Sequence, residues 1–136
     1  MRIDFTIPGE PFGKGRPRFT KSGHTYTPEK TAVYENLVKL EYAHRYGDDH
    51  FEDGKALGML IKAYFQIPKS VSKKKRAEMI NGDILPTKKP DADNILKIIA
   101  DALNGIAYDD DKQVVTAEVQ KLYAENGYTE VAIWEV

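Results

Sequence analysis

Asp91 and Asp93 stand two positions apart, Lys97 follows four positions after Asp93, and a second acidic run, Asp109-Asp110-Asp111, comes later in the chain. Carboxylates and an ammonium at these intervals suit metal-assisted chemistry on phosphate. Pro90 favours an extended approach through Lys89. If that extension continues, Asp91 and Asp93 point to the same side, because side chains alternate along extended backbone. Two like charges on one side repel, and a divalent cation with hard oxygen ligands removes the repulsion. Lys97 lies one helical turn after Asp93 and reaches the same place, where it would stabilise a phosphate or orient an attacking water. Asp101, a further turn along, is placed to hold Lys97. Asp111 falls eighteen positions after Asp93, so the strand that follows it must return beside the helix if the acids are to meet. Three or four converging carboxylates are the pattern of magnesium-dependent phosphodiester cleavage.

Each feature also has a plainer explanation. Acids at a helix start ordinarily serve as caps and dipole partners. Lys97 is a common kind of surface partner for Asp93, and an acidic turn is usually solvated. An EF-hand is excluded, because Ile95 and Leu96 stand where a calcium loop starting at Asp91 needs a ligand and a glycine.

The positioning elements can be read from periodicity. Residues 2–7 alternate Ile3, Phe5 and Ile7 with polar residues, which predicts a half-buried strand ended by Pro8-Gly9. Residues 9–27 are rich in Gly and Pro and read as a long loop. Thr27-Pro28 opens a helix whose apolar spacing (Val33, Leu37, Leu40, with Tyr34 and Val38) continues to about Tyr46. Residues 57–67 read as a long strand, and Ser70–Asn81 as a short polar helix. Asn94–Asn104 carries the clearest amphipathic pattern, with Ile95, Ile98, Ile99, Ala102 and Leu103 on one stripe and Asn104-Gly105 as its stop. Gln113–Tyr123 and Tyr128–Val136 read as strands, and Asn126-Gly127 between them signals a hairpin. Trp134 and the tyrosines of residues 123–128 read as core or hairpin packing. The order β-α-β-α-α-β-β predicts a mixed α/β or α+β fold, a mixed β-sheet flanked by helices. The 136 residues suit one domain, 1–136.

Composition excludes several classes. There is no cysteine, so disulfide scaffolds, thiolate zinc sites and cysteine nucleophiles are out, and a reducing cytoplasm is the expected setting. The opening residues carry Asp4 and lack the apolar core of a signal peptide, and no run approaches the ~20 apolar residues that span a bilayer. The net charge of -1 hides a segregation along the chain. Residues 1–30 hold six Lys/Arg against three acids, and residues 98–136 hold two against eight. A polyanion would therefore use the first part of the chain and the basic stretch before Asp91. Lys14, Arg16 and Arg18, interleaved with Phe12 and Phe19, are candidates for phosphate contacts and base stacking. Lys88 and Lys89, beside Asp91, are better placed for the reacting backbone, whereas Lys73–Arg76 reads as a solvated helix face.

The run Asp91-Ala92-Asp93-Asn94-Ile95-Leu96-Lys97, the helix end Asp101-Ala102-Leu103 and the run Asp110-Asp111-Lys112-Gln113-Val114-Val115 together resemble the RusA family of Holliday junction resolvases. The family carries a D-x-D-N-[apolar]-x-K block, a D-A-L helix end and a D-D-x-Q-V-V block at this spacing. The likeness spans residues 90–121, while Gly13-Lys14-Gly15-Arg16-Pro17-Arg18 departs from the P-P-S-x-N type of opening. The resemblance implies a homodimer that binds branched DNA and makes paired symmetric nicks at four-way junctions in recombination and repair. It implies magnesium, with manganese as a substitute. It also implies that Asp91, Asp93 and Asp111 hold the metal and that Lys97 is the catalytic lysine, with Asp110 contributing indirectly. Such genes are often carried by phages and prophages, so a bacterial or viral source is expected. Two other functions stay open on the residues alone. One is a structure-specific DNA-binding protein without catalysis, and the other is a metal-dependent hydrolase of small phosphates.

Overall fold

The computed structural model describes residues 1–15, 18–19, 23, 25–26 and 29–136, with 18–19 and 25–26 described in their backbone only. The expected helix opening at Thr27-Pro28 and the candidate Arg16 lie outside the described residues, as does the side chain of Arg18.

The main strands are β1 (Arg2–Pro8), β4 (Leu57–Gln66), β5 (Val114–Ala124) and β6 (Tyr128–Glu135). They form one mixed sheet in the order β1-β6-β4-β5, with β5 parallel to β4 and the other pairings antiparallel. Three helices accompany it: α1 (Glu29–Tyr46), α2 (Lys73–Ile80) and α3 (Ala92–Ala102). The fold is α+β, and the expected element order holds for these seven elements. The stretch 9–27, predicted as loop throughout, also holds a two-stranded ribbon, β2 (Arg18–Phe19) on β3 (Thr25–Tyr26).

The core lies between one face of the sheet and the helices α1 and α3. Ile3, Phe5 and Ile7 of β1 are buried, as alternation requires, and β4 contributes Met59, Ile61, Ala63 and Phe65. From α3, Ile95, Ile98, Ile99 and Ala102 pack against them. Burying each of these isoleucines stabilises the fold by roughly 1.5–3 kcal/mol relative to exposure. On α1 the buried stripe is Tyr34, Val38 and Tyr42. Val33 and Leu40, which fit the helical spacing on paper, are exposed. The aromatic residues decide this rotation, because Tyr42 packs edge-on against Phe5 with ring centroids 5.7 Å apart.

Two further expectations are corrected. Asn126-Gly127 predicts a hairpin of β5 on β6, but β4 lies between them and pairs with both. A strand as apolar as β4 is best satisfied at the centre of the sheet, with hydrogen-bonded partners on both edges. The β5–β6 connection instead crosses the end of β4. There Ile67 N–H donates to the Ala124 carbonyl (3.0 Å) and Gln66 N–H to the Glu10 carboxylate (2.7 Å). Gly127 packs so tightly against Glu10 that no Cβ fits. Trp134, expected in core or hairpin packing, lies half-buried on the opposite face of the sheet, flat against Gly58, with the Arg2 guanidinium 5.5 Å from its ring centre.

Ile98→Ala should cost about 2–5 kcal/mol of stability in urea unfolding, because it opens a cavity under α3. Ile80→Ala, at a position 48% exposed, should change stability by no more than about 0.5 kcal/mol.

Candidate active site

Helix α3 starts earlier than its apolar pattern suggests. Asp91 is the N-cap residue, with extended backbone (φ −68°, ψ 151°), and Asp93 is the second residue of the helix. The expectation that both are extended and point to one side is therefore wrong. Pro90 restricts the residue before it, not those after it. Helical residues turn ~100° per position, so the two aspartates face different ways. Asp91 lies in a groove with Pro11, Gly13, Lys14, Lys89 and Asn94. Asp93 lies in a second groove, between α3 and β5, with Leu96, Lys97, Ala100, Asp111, Val114 and Ala117. The Asp91 side chain makes no capping hydrogen bond, so the carboxylate at this position is not committed to holding the helix start.

The second groove joins sequence-distant residues. Asp93 and Lys97 come from successive turns of α3. Asp111 opens a short 3-10 turn (Asp111–Gln113) that leads into β5. Lys97 Nζ approaches Asp101 Oδ1 at 3.5 Å, as the i,i+4 spacing predicts. Asp101 in turn neighbours Asp111. Asp93 and Asp101 are about 12 Å apart along the helix axis at 1.5 Å per residue. The groove thus runs from Asp93 at one end, past Lys97, to Asp101 and Asp111 at the other. Asp91, Asp93 and Asp111 do not form one closed cage, and among the described residues no three His, Cys, Asp or Glu side chains are grouped as one.

The Asp111 end is electrostatically unsettled. Partial burial, followed by the Asp110 and Asp101 carboxylates, pushes the Asp111 carboxyl above the ordinary aspartate value. Asp110 goes the other way, because the Lys112 backbone N–H and then the Asp111 side chain hold its ionised form. The buried Tyr108 hydroxyl is raised far above its usual range, by burial first and then by the same three aspartates. It donates to the Ala100 carbonyl at 2.7 Å, which ties the turn to α3. Hard oxygen donors under mutual repulsion fit a magnesium or manganese ion, and magnesium commonly takes only one or two protein carboxylates together with water and substrate phosphate.

Gln113, which the spacing argument does not assign, anchors this turn. Its side chain is buried. Its Oε1 accepts from the Asp109 and Asp110 N–H groups (3.1 and 3.3 Å), and its Nε2 donates to the Glu52 and Lys55 carbonyls (both 3.1 Å). Asn104 Oδ1 accepts from the Asp111 N–H at 2.8 Å. The sequence signals for Gln113 are its place as the Q of the D-D-x-Q-V-V block and its position in an acidic turn just before an apolar strand.

The basic candidates separate. Lys14 is not free in the groove. Its ammonium binds Glu35 of α1 (2.9 Å) and Asp101 of α3 (3.4 Å). Partial burial pulls its pKa down, but the Glu35 and Asp101 carboxylates more than offset that and raise it above the ordinary lysine value. Its backbone N–H donates to the Asn94 carbonyl (2.9 Å), and Phe12 stacks on Tyr34 (5.5 Å between centroids). Both residues, expected to grip DNA, fasten the segment before Arg16 to the helices. Lys88 and Lys89 are exposed. No helix of the described chain is long and apolar enough to cross a membrane.

The sequence pattern of the family described as Endodeoxyribonuclease RusA matches residues 8–134. The chain is also similar to the uncharacterized protein YqaN of Bacillus subtilis (strain 168). The two are 41% identical over 139 residues, covering 98% of this chain and 96% of that protein.

Two substitutions should move stability in opposite directions. Gln113→Ala leaves partly buried backbone groups without partners and should cost about 1–3 kcal/mol in urea unfolding. Asp111→Asn removes a like charge and should raise the melting temperature at pH 7 in a chelator. A carboxyl whose pKa rises on folding opposes the fold once ionised and ceases to do so when protonated. The gain from Asp111→Asn should therefore shrink as pH falls through the carboxylate range, which a melting series from pH 7 to pH 3 would follow.

Proposed function

Because the chain belongs to the RusA family of endodeoxyribonucleases, we propose that it resolves four-way DNA junctions by metal-dependent hydrolysis of phosphodiester bonds, working as a homodimer. The observation that carries this is the groove lined jointly by Asp93, Lys97 and Asp111. An acid from a late turn meets an acid and a lysine from an earlier helix there, which caps and solvated turns alone do not require.

In this scheme Asp93 and Asp111, at the two ends of the groove, would each contribute a ligand for divalent metal, with water and substrate phosphate completing the coordination. Asp91 would join them from the adjacent groove, as the D-x-D-N pattern implies. Bound there, magnesium would supply charge neutralisation at the phosphate and a more acidic water. Lys97, held by Asp101 between the two acidic ends, places a positive charge where the extra negative charge of the attacked phosphate develops. Asp101 divides its carboxylate between Lys97 and Lys14, so it positions both ammonium groups. Gln113 and Asn104 fix the backbone of the turn and keep the Asp111 carboxylate from following its neighbours into solvent. Among the described residues each chain offers one groove with this lining. Two coordinated nicks therefore need two chains related by a twofold axis.

A binding-only protein would use Asp91 as a helix cap. The missing capping hydrogen bond at Asp91 tells against that alternative.

With synthetic four-way junctions and magnesium, the wild-type protein should give paired nicks placed symmetrically across the branch point. Asp93→Asn and Asp111→Asn should each lower the cleavage rate at least ~100-fold while junction binding persists, and Lys97→Met should do so by about 10–1,000-fold. Junctions left whole in both magnesium and manganese, with flaps or linear duplex cut well, would exclude junction resolution. Absence of a saturable metal site in calorimetry would favour binding without catalysis.

A further inference from the structure

Lys121 has no part in the site described so far, and its surroundings are unusual for a lysine. It lies half-buried on β5, the edge strand, with its side chain on the core side of the sheet. Its neighbours on that face are Val119, Tyr123 and, across the pairing, Ala63. None of them carries charge. The ammonium lies 5.5 Å from the centre of the Phe65 ring, and the Lys88 ammonium lies 5.7 Å from the same ring. Lys121 also donates a hydrogen bond to the Lys88 backbone carbonyl. Among the described residues neither lysine has a carboxylate partner within ion-pair distance. Two positive charges from segments 33 residues apart are thus gathered over one aromatic ring without a counter-charge.

We propose that Lys121 and Lys88, gathered over Phe65, form a binding site for backbone phosphate of the DNA strand that enters the α3–β5 groove. The proposal rests on the nuclease reading and deepens it. Like charges brought together repel. The Phe65 face offsets part of that cost through cation–π attraction, and an anion removes the remainder. The location suits a phosphate of the substrate strand. Lys88 precedes Asp91 by three residues. Lys121 follows Ala117, which lines the groove, by four residues on the same face of β5, or ~13 Å at ~3.3 Å per residue. That distance corresponds to about four base pairs along the axis of a duplex, at about 3.4 Å of rise each. The charges would then succeed one another along the β5 edge: the lysine pair, Asp93, Lys97, and the acidic turn. A purely structural role for Lys121 needs only its hydrogen bond to the Lys88 carbonyl. That bond would persist if Lys88 lost its charge.

The test compares wild type, Lys88→Met, Lys121→Met and the double variant. Methionine keeps an apolar stem over Phe65 and removes the charge. Binding to a four-way junction and to linear duplex is measured from low to high salt in calcium, which suppresses cleavage, and melting temperatures are recorded alongside. Each phosphate contact contributes about 0.9 to the slope of log affinity against log salt. Each single variant should therefore lower the slope by about one, and the double variant by about two. The junction concentration needed for half-maximal cleavage should rise in each variant. A Lys121→Met protein with unchanged salt slope, whatever its melting temperature, would overturn the proposal and leave Lys121 as a tether of the Lys88 segment, with the nuclease reading intact. A wild-type protein that binds neither DNA would sink both.

Discussion

The packing of α3 along the edge strand β5 is the constraint from which the candidate site follows. Ile95, Ile98, Ile99 and Ala102 are buried, and together the isoleucines alone contribute several kcal/mol. They lock the rotation of the helix about its own axis. With that rotation set, Asp93, Lys97 and Asp101 fall on the flank beside β5. The Lys97–Asp101 ion pair does not set this geometry. The Lys97 side chain is 61% exposed, and exposed pairs are worth ~0–1 kcal/mol. Apolar burial aims the charges, and the charges then interact where they have been placed. The parallel pairing of β4 with β5 adds the second half. It requires a long crossover between the strands. That crossover contains α2, α3 and the acidic turn, so Asp111 arrives at the start of β5, next to the end of α3.

The strap of residues 11–15 and the acidic turn meet their charges differently. Near the N-terminal loop, positive charge is already matched. Lys14 satisfies Asp101 and Glu35 while its backbone binds Asn94. A Cβ on Gly13 would lie 2.7 Å from Pro90 Cβ and 3.2 Å from Asn94 Cβ, so the strap before Arg16 is seated directly on the helix start. At the acidic turn the charge is not matched. Asp110 and Asp111 shift in opposite directions, the behaviour of neighbouring carboxyls that do not both ionise easily. The turn nonetheless keeps one shape, because Gln113 meets four backbone groups from two segments. Such an arrangement stores repulsion in a rigid frame, and a divalent cation would release it. Proteins commonly accept this kind of local destabilisation at sites of chemistry.

What could be read from the sequence follows from the range of the forces involved. The α3 stripe and the alternation of β1 are local patterns set by the period of the backbone, and both elements form where those patterns lie. The i,i+4 relation of Lys97 to Asp101 is equally local. The hairpin expected at Asn126-Gly127 fails because sheet order is a long-range choice. The turn chemistry is compatible with a tight reversal, but β4 takes the place between the two strands. The apolar spacing of α1 is ambiguous in itself, and only Phe5 and the neighbouring aromatic rings select Tyr34, Val38 and Tyr42 over Val33 and Leu40. The pairing of Lys14 with Glu35 has no sequence signature, since it depends on the loop folding back over two helices. The extended geometry expected for Asp93 fails for a simpler reason: the pattern that predicts a helix from Asn94 marks its core-facing turns, and the helix itself begins with polar positions ahead of them.

These placements constrain how a nucleic acid approaches. One side of α3 is closed by the core and the other by the strap of residues 11–15, whose cationic group is already paired. The remaining open side is the edge of β5, where among the described residues no further strand covers the groove. Exposed sheet edges invite pairing with another chain, and native proteins blunt them with charged residues. Here Glu118 and Lys121 serve that purpose on opposite faces of β5, and only the face bearing Lys121 looks into the groove. A DNA strand following that edge would leave the acidic end of the groove and meet Lys97 and then the lysine pair over Phe65. In that reading β5 would guide the strand, with Lys121 on the sheet edge and the acting residues on α3 and on the turn that leads into β5.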